Sequence, residues 1–492
     1  MSTTNRLTVI GAGFSGLAAA ALLANDGWDV TVLEKNAQVG GAARAWNVRG
    51  FTFDMGPTWY LIPEVFERYF ALFGERREAY YDLTLLNPSY RVFFEDGEQV
   101  DITPDIEQTK ATFERFEPGG ADKLTRFLEH AAYRYDTAMK EFLYREYRSI
   151  FDFFNRRLLV YGARMNLFRS LDREVSSYFT DDRAKKILEY AMVFLGSSPF
   201  NARALYSIMA HVDLNLGVWY PGGGMGSVVD GVRMLAESRG VMIRTGEQVR
   251  KLSGDNGTLT YIVTEAGEYP ADVVVASADY PHVETELLER SQQSYPLDYW
   301  RKRVVAPSMF LIFLGLTKKV EALTHHNLYL ANRWEEHFAS IFDNPDWPKN
   351  PSYYIHCPSQ LDKTLAPEGH EIVVIGVPVA PGLDDSDSQR QEFAEQAIKH
   401  LEKLIGTELR DSIVVQRIFS HRDFKNEYNL YRGTAFGLSH TLLQTAVFRP
   451  SYRSRKIKNL YFTGQYTHPG IGVPMSFISS QVVAEKIRRE RR

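Results

Sequence analysis

The sequence predicts an α/β chain: a Rossmann-like dinucleotide-binding domain, discontinuous in sequence, with a mixed-sheet substrate domain and a helical subdomain. Three observations predict it. A strand, glycine turn and helix follow one another over residues 6–34; a second patterned turn spans residues 459–475; and the stretch between them switches from short strands to long helices and back. The resulting division places residues 1–75, 225–290 and 455–492 in the nucleotide domain, 76–112 and 291–454 in the mixed-sheet domain, and 113–224 in the helical subdomain.

Leu7 to Ile10 is a short apolar run suited to a buried parallel strand. In Gly11-Ala-Gly13-Phe14-Ser15-Gly16, Gly11 permits the tight turn, Gly13 lets backbone approach a pyrophosphate, and Gly16 lets the helix pack on the strand. Phe14 and Ser15 fall inside the same turn. Leu17 to Asn25 is rich in helix formers, and Gly27 suits the left-handed residue beyond a helix end. A second apolar strand, Val30 to Leu33, ends at Glu34 and Lys35. Glu34 lies 23 residues after Gly11, near the spacing of a carboxylate that binds a ribose hydroxyl. Gly40, Gly41 and Arg44 close the unit. At this point the dinucleotide stays open between nicotinamide and flavin.

The chain of 492 residues is longer than one core usually supports, so two or three subdomains are expected. Lys plus Arg is 57 against 61 Asp plus Glu, and no global charge argues for nucleic acid. The single cysteine, Cys357, excludes an intramolecular disulfide framework and a cysteine-rich metal site; it reads as a buried core thiol, and no metal is expected. No apolar run reaches the roughly 18–20 residues of a spanning helix. Val304 to Leu316 is broken by Pro307 and Ser308 and reads as a buried strand. The apolar stretch after the first strand belongs to the nucleotide turn rather than to a signal peptide, so an intracellular protein is expected.

After Arg44, Phe51-Thr-Phe-Asp54 reads as a strand entering the turn Gly56-Pro57-Thr58, with Asp54 capping its own turn. Residues 92–102 read as a hairpin turning at Asp96-Gly97. Phe113 to Leu216 is dominated by helical pattern. Within it, residues 140–173 carry eight basic residues against four acidic ones, interleaved with eight aromatics. That composition suits an anionic membrane surface, and equally a helical core with a solvated basic face. Gly222-Gly223-Gly224 before a helix from Ser227 to Glu237 marks a loop where backbone approaches another group closely. Short strands follow to Ala276, with further strands near residues 310–316 and 371–377 and a charged helix over 389–404.

The C-terminal pattern is a strand, Leu460 to Phe462, then a glycine–proline turn, then a helix from Met475. Pro474 suits the first turn of that helix, and the positive helix N-terminus suits an anionic group such as a reduced flavin. With one end reading as an adenosine site and the other as a flavin-edge turn, the expected cofactor is FAD.

With both ends in view, the chain resembles the bacterial-type phytoene desaturase family of carotenoid biosynthesis. The residues that carry the likeness are Gly11 to Gly16 with Glu34, Gly40-Gly41-x-x-Arg44 and Phe51-Thr-Phe-Asp54-x-Gly56-Pro57-Thr58. Trp219-Tyr-Pro221-x-Gly-Gly and Asn459-Leu-Tyr-Phe-x-Gly464…Thr467-His468-Pro469-Gly470-x-Gly472 complete it. The resemblance implies FAD bound by the glycine turn, Glu34 and Lys35, with Arg44 set either against phosphate or in solvent. It further implies cofactor contacts from Gly41, Gly56, Pro57, Thr58 and Val249, and from Gly464, Gln465, Gly472, Val473 and Pro474 at the flavin edge. The implied chemistry is dehydrogenation of a linear isoprenoid hydrocarbon such as phytoene: hydride goes to flavin N5 and a proton leaves the adjacent carbon. The electron acceptor, oxygen or a quinone, stays open; the basic aromatic helices and a water-insoluble substrate suit a cytoplasmic protein held peripherally on the inner face of the cell membrane. Asp152 and Arg156 resemble the family's acid–base position, and His468 sits beside the flavin turn; each also reads as an ordinary ion pair or packing residue. The family has small residues where Gln465, Tyr466 and Ile471 stand here, which leaves the substrate open. The same fold would serve a carotenoid isomerase, a diapocarotenoid desaturase or oxidase, or a lipid-binding escort protein.

Overall fold

The computed structural model describes residues 5–147 and 169–490. The α/β class holds. Strands Arg6–Ile10, Asp29–Leu33, Met242–Arg244, Val273–Ala276 and Leu460–Phe462 form one five-stranded sheet, every neighbouring pair parallel. The first strand lies at its centre, between Asp29–Leu33 and Val273–Ala276. Both faces of a parallel sheet must be covered, which explains why these strands read as unbroken apolar runs. Helices Phe14–Asn25, Met225–Ser238 and Val473–Glu490 pack together over one face in a core that holds Val9, Val32 and Val275. Ala18, Ala19, Ala20 and Ala21 of the first helix are all buried, so small side chains there permit close helix–helix approach.

A second, seven-stranded sheet runs in the order Ile413–Phe419, Ser308–Leu316, Glu371–Val379, Tyr353–His356, His326–Leu330, Tyr90–Phe94, Gln99–Ile102. It is antiparallel except where His326–Leu330 runs parallel to Tyr90–Phe94. Strand Ser308–Leu316 is buried along its whole length because alternate residues serve two cores. Met309, Leu311 and Phe313 face one, while Phe310, Ile312 and Leu314 pack in the other with Phe393 and Ile398 of helix Asp387–Ile405. Cys357 is buried in this second core, as expected of a lone core thiol.

A three-stranded antiparallel sheet, Val249–Asp255, Thr258–Thr264 and Glu268–Pro270, flanks the parallel one. Buried Asn459 stitches the two together: its side chain accepts from Leu259 N (2.9 Å) and donates to Leu259 O (3.0 Å) and Ala271 O (2.8 Å). Asn459→Ala leaves these backbone groups without partners and is expected to cost about 1–3 kcal/mol, read as a lower thermal midpoint. No helix among the described residues is long and apolar enough to cross a membrane.

Candidate functional site

The two sheets share one cavity of about 1260 Å³, larger than the roughly 300–1,000 Å³ of an ordinary small-molecule pocket. At one end it opens over the carboxyl edge of the parallel sheet, where Ile10, Leu33, Ala278 and Thr463 sit at or just past their strand ends. That edge is where open α/β sheets bind ligands. At the other end it runs along the Met309–Leu311–Phe313 face of the large sheet, where Val374 sits beside Phe313 on the neighbouring strand, and Phe194 and Phe436 also line it.

The nucleotide turn lines this cavity through Gly11, Gly13, Phe14 and Ser15, whereas Gly16 lies behind it. The glycines differ in what they permit. A Cβ on Gly16 would stand 2.0 Å from Gly11 O, so the helix could not approach the strand; a Cβ on Gly13 would meet nothing within 4 Å. Space is thus kept beside Gly13 that no protein atom fills. Glu34, buried, accepts from Ala12 N through Oε2 (2.8 Å) and from Asn36 N through Oε1 (2.8 Å), which holds its carboxylate on the cavity wall. Lys35 also lines the cavity, its Nζ bonded to Asn429 Oδ1 at 2.9 Å, and burial lowers its pKa. Gly41, Gly56, Pro57, Thr58 and Val249 line it as well.

Arg44 is placed differently. Its guanidinium pairs with Glu427 and lies 5.3 Å from the Tyr428 ring centroid, outside the cavity-lining residues. Glu427 also holds Arg417 at 2.8 Å. A partner 383 positions along the chain supplies the neutralising charge, which spacing around Arg44 could not reveal.

Asp54 departs from the expectation that it caps its own turn. Its carboxylate accepts from Met225 N (3.0 Å) and Gly226 N (3.2 Å), so it caps a helix that begins 171 residues later. The close approach anticipated at the triple glycine is this contact: a Cβ on Gly224 would lie 2.6 Å from Asp54 Oδ2. Burial pushes the Asp54 carboxyl up to about 7, against the two amide bonds that favour its charged form.

The C-terminal turn returns Gly464, Gln465, Gly472, Val473 and Pro474 to the cavity. A Cβ on Gly464, at φ +110°, would lie 3.1 Å from Ser15 Oγ, so the two ends of the chain meet here. The helix after this turn starts at Val473 with Pro474 in its first turn. Tyr466, behind the turn, donates to Asp279 Oδ2 at 2.8 Å, and burial pushes Asp279 up to about 7. His468 lines the cavity, its Nε2 bonded to Phe142 O at 3.2 Å and its Nδ1 without a partner; burial lowers it to about 4. Asp152 and Arg156 lie outside the described residues, as does most of the basic aromatic stretch around them.

Sequence reasoning missed three groups. Tyr206 Oη and His440 Nδ1 form a 2.6 Å pair on the cavity wall, and His440 Nε2 accepts from Ile471 N at 3.3 Å. Arg449, buried, donates to Gln465 O (2.9 Å) and Leu438 O (3.1 Å) and joins no ion pair among the described residues. Burial lowers it to about 10, which leaves a cation directly behind the turn at neutral pH. Trp59, Thr58 and Tyr354 form an aromatic and hydroxyl wall, with Thr58 Oγ1 and Tyr354 Oη 2.8 Å apart. Thr58 belongs to the turn read from the sequence, but its hydroxyl partner does not, and the other residues carry no local sequence signal because each is defined by partners from other elements.

The sequence profile described as flavin-containing amine oxidoreductase matches residues 14–488. The carotenoid 3,4-desaturase of Haloarcula japonica is 44% identical over 98% of this chain and 97% of its own length. The zeta-carotene-forming phytoene desaturase of Myxococcus xanthus is 34% identical, over 98% of this chain and 93% of its own. Among solved structures, an oxidoreductase from Methanosarcina mazei superposes with a TM-score of 0.62 at 16% identity, covering 98% of this chain and 100% of that one, a likeness of fold alone.

Proposed function

The chain belongs to the flavin-containing amine oxidoreductase family, and from that premise we propose that it desaturates a linear carotenoid precursor. The observation that carries the reading is the continuity of the cavity: one space joins the nucleotide turn to a long, almost wholly apolar wall. An extended hydrocarbon offers no polar handle, so shape and dryness must do the binding. FAD is the cofactor, and when bound it supplies a two-electron acceptor for hydride leaving a carbon atom.

The residues present fit that group. The gap beside Gly13, next to the N-terminus of helix Phe14–Asn25, suits a pyrophosphate, and Glu34 suits a ribose hydroxyl. Gly464 and the start of helix Val473–Glu490 suit the flavin ring. Arg449 places a positive charge behind the same turn, the sign that favours a reduced, anionic ring. Met309, Leu311, Phe313 and Val374 exclude water from the reacting segment and hold it straight. Tyr206, paired with His440, is a polar group of the cavity wall that keeps its own proton, since burial raises the hydroxyl, and burial lowers both His440 and His468 below the usual imidazole range, so none of the three is a strong base.

Glu34→Gln would turn an amide donor toward one of the two backbone N–H groups that the carboxylate now accepts. FAD affinity is expected to fall roughly 10- to 100-fold, about 1.4–2.8 kcal/mol, measured as flavin retained after dialysis.

Leu442 and Phe448 line the cavity and are 38% and 43% exposed, with Leu443 beside them 65% exposed. An apolar rim at a cavity mouth suits entry of substrate from a lipid surface, and it supports peripheral binding to a membrane. The test of function is pigment analysis in cells that supply phytoene, the shorter diapophytoene, or a carotenoid still saturated at its 3,4 bond. A product with additional conjugated double bonds from one of these is expected. If all three return unchanged or merely isomerised while the purified protein carries FAD, desaturation is wrong.

A further inference from the structure

Three histidines the reaction does not use, His325, His326 and His356, meet behind the cavity wall. They are 5%, 0% and 1% exposed, and one ring nitrogen from each lies within 4.8 Å of the others. Strand register makes the meeting: His326 and His356 are direct partners in neighbouring antiparallel strands, so their side chains share a face. His325 Nε2 and His356 Nε2 are 3.3 Å apart. That is the ligand spacing of a tetrahedral zinc site, where bonds of roughly 2.0–2.1 Å put nitrogens about 3.3–3.4 Å from one another.

An N–H···N hydrogen bond would account for that pair alone. It leaves His326 Nε2 with no partner in a dry interior, where an orphan costs about 1–3 kcal/mol, and this is the nitrogen an ion would take up. His326 Nδ1 contacts Tyr354 Oη at 2.6 Å, and Tyr354 contacts Thr58 in turn. Such a bond fixes the tautomer that frees Nε2 to coordinate, as partners of metal-bound histidines do. The Asp362 carboxylate, held by Tyr220 Oη (2.9 Å) and Gly223 N (2.8 Å), supplies negative charge near His325.

We propose that His325, His326 and His356 bind one borderline divalent transition-metal ion, zinc before others, at a site separate from the flavin. Imidazole ligands without thiolates select this class over calcium or magnesium. The ion fixes the cavity wall: Trp59 stacks on His326 at 4.4 Å and 9°, and Thr58 is tied to it through Tyr354. Nothing in this depends on which hydrocarbon the cavity takes.

The test uses the tag-free flavin-loaded protein, with zinc measured by elemental analysis and cobalt(II) titrated after chelation. One ion per chain and the visible absorption of tetrahedral cobalt are expected. His356→Gln should abolish both while flavin stays bound. Tyr354→Phe, which keeps every ligand, should weaken cobalt binding 10- to 100-fold. If His356→Gln loses its flavin through misfolding, Tyr354→Phe and the unmodified protein decide the matter. No tetrahedral cobalt band in the unmodified protein, or one that both variants retain unchanged, overturns the proposal.

Discussion

Gly13→Val is expected to yield a folded chain that holds no flavin. Gly13 precedes helix Phe14–Asn25 with φ −76° and ψ 179°, an extended conformation open to any residue. A Cβ there touches no protein atom within 4 Å, so valine costs the protein itself little. The volume it fills is the one proposed above to take a phosphate group of the cofactor. Displacing that contact by a branched side chain is expected to weaken FAD at least about 1000-fold, about 4 kcal/mol. The protein should elute as the parent does, with unchanged far-ultraviolet dichroism and no flavin absorbance. Its thermal midpoint should no longer rise on adding FAD, since the ligand's contribution to stability vanishes with its affinity. Gly16→Val makes the contrast: with Gly11 O 2.0 Å from the new Cβ, strand and helix must separate, and soluble protein is not expected. A Gly13→Val protein that purified yellow would refute the placement of the cofactor.

The two glycines show why the ends of this chain were legible in sequence. A strand, a turn and a helix within a few dozen residues make a local unit, and each residue in it answers to neighbours close in the chain. The strand Ser308–Leu316 was legible for a related reason, since a run apolar on both alternating faces can only be buried on both. What the sequence hid are the pairings. Asp54 looks like a turn residue because its two amide partners stand 171 and 172 positions away. Arg44 looks free because Glu427 is 383 positions distant. The histidine trio looks like scattered residues until the register of two strands sets His326 opposite His356. Composition argued against a cysteine-rich metal site, and that argument has no purchase on ligands assembled by a sheet. The apolar wall is hidden more deeply still, because leucine and phenylalanine lining a cavity carry the same pattern as those filling a core.

The second large effect is expected at Asp213, whose two tyrosine partners pack on Trp59 behind the cavity wall. Its Oδ2 accepts from Tyr90 Oη (2.7 Å) and Tyr190 Oη (3.0 Å), while Oδ1 has no partner. Burial pushes the carboxyl up to about 7 from its ordinary 3.8, outweighing both hydroxyl bonds. Between about pH 4 and pH 7 the folded protein therefore holds a proton that the unfolded chain has released. The unfolded state binds fewer protons across that window, so stability falls as pH rises through it and is level above. An amide cannot ionise. Asp213→Asn keeps an oxygen for both tyrosines and places its amino group where Oδ1 now stands unpartnered. The variant's stability relative to the parent is expected to improve from pH 4 to pH 8 by on the order of 4 kcal/mol. Chemical denaturation of both proteins across that range measures it. The comparison must be a difference between the two, because His337 and His468, both held near 4 by burial, act with opposite sign. Those imidazoles stay neutral when folded and gain protons when unfolded, so they withdraw stability as pH falls from about 6.5 toward 4. Asp54 and Asp279, also near 7, act in the same direction as Asp213. All of these cancel between parent and variant, leaving the single carboxyl. A difference that does not change with pH would mean that Asp213 stays ionised in the folded core. The Tyr90 and Tyr190 hydroxyls, with whatever water reaches Oδ1, would then suffice to hold a charge there.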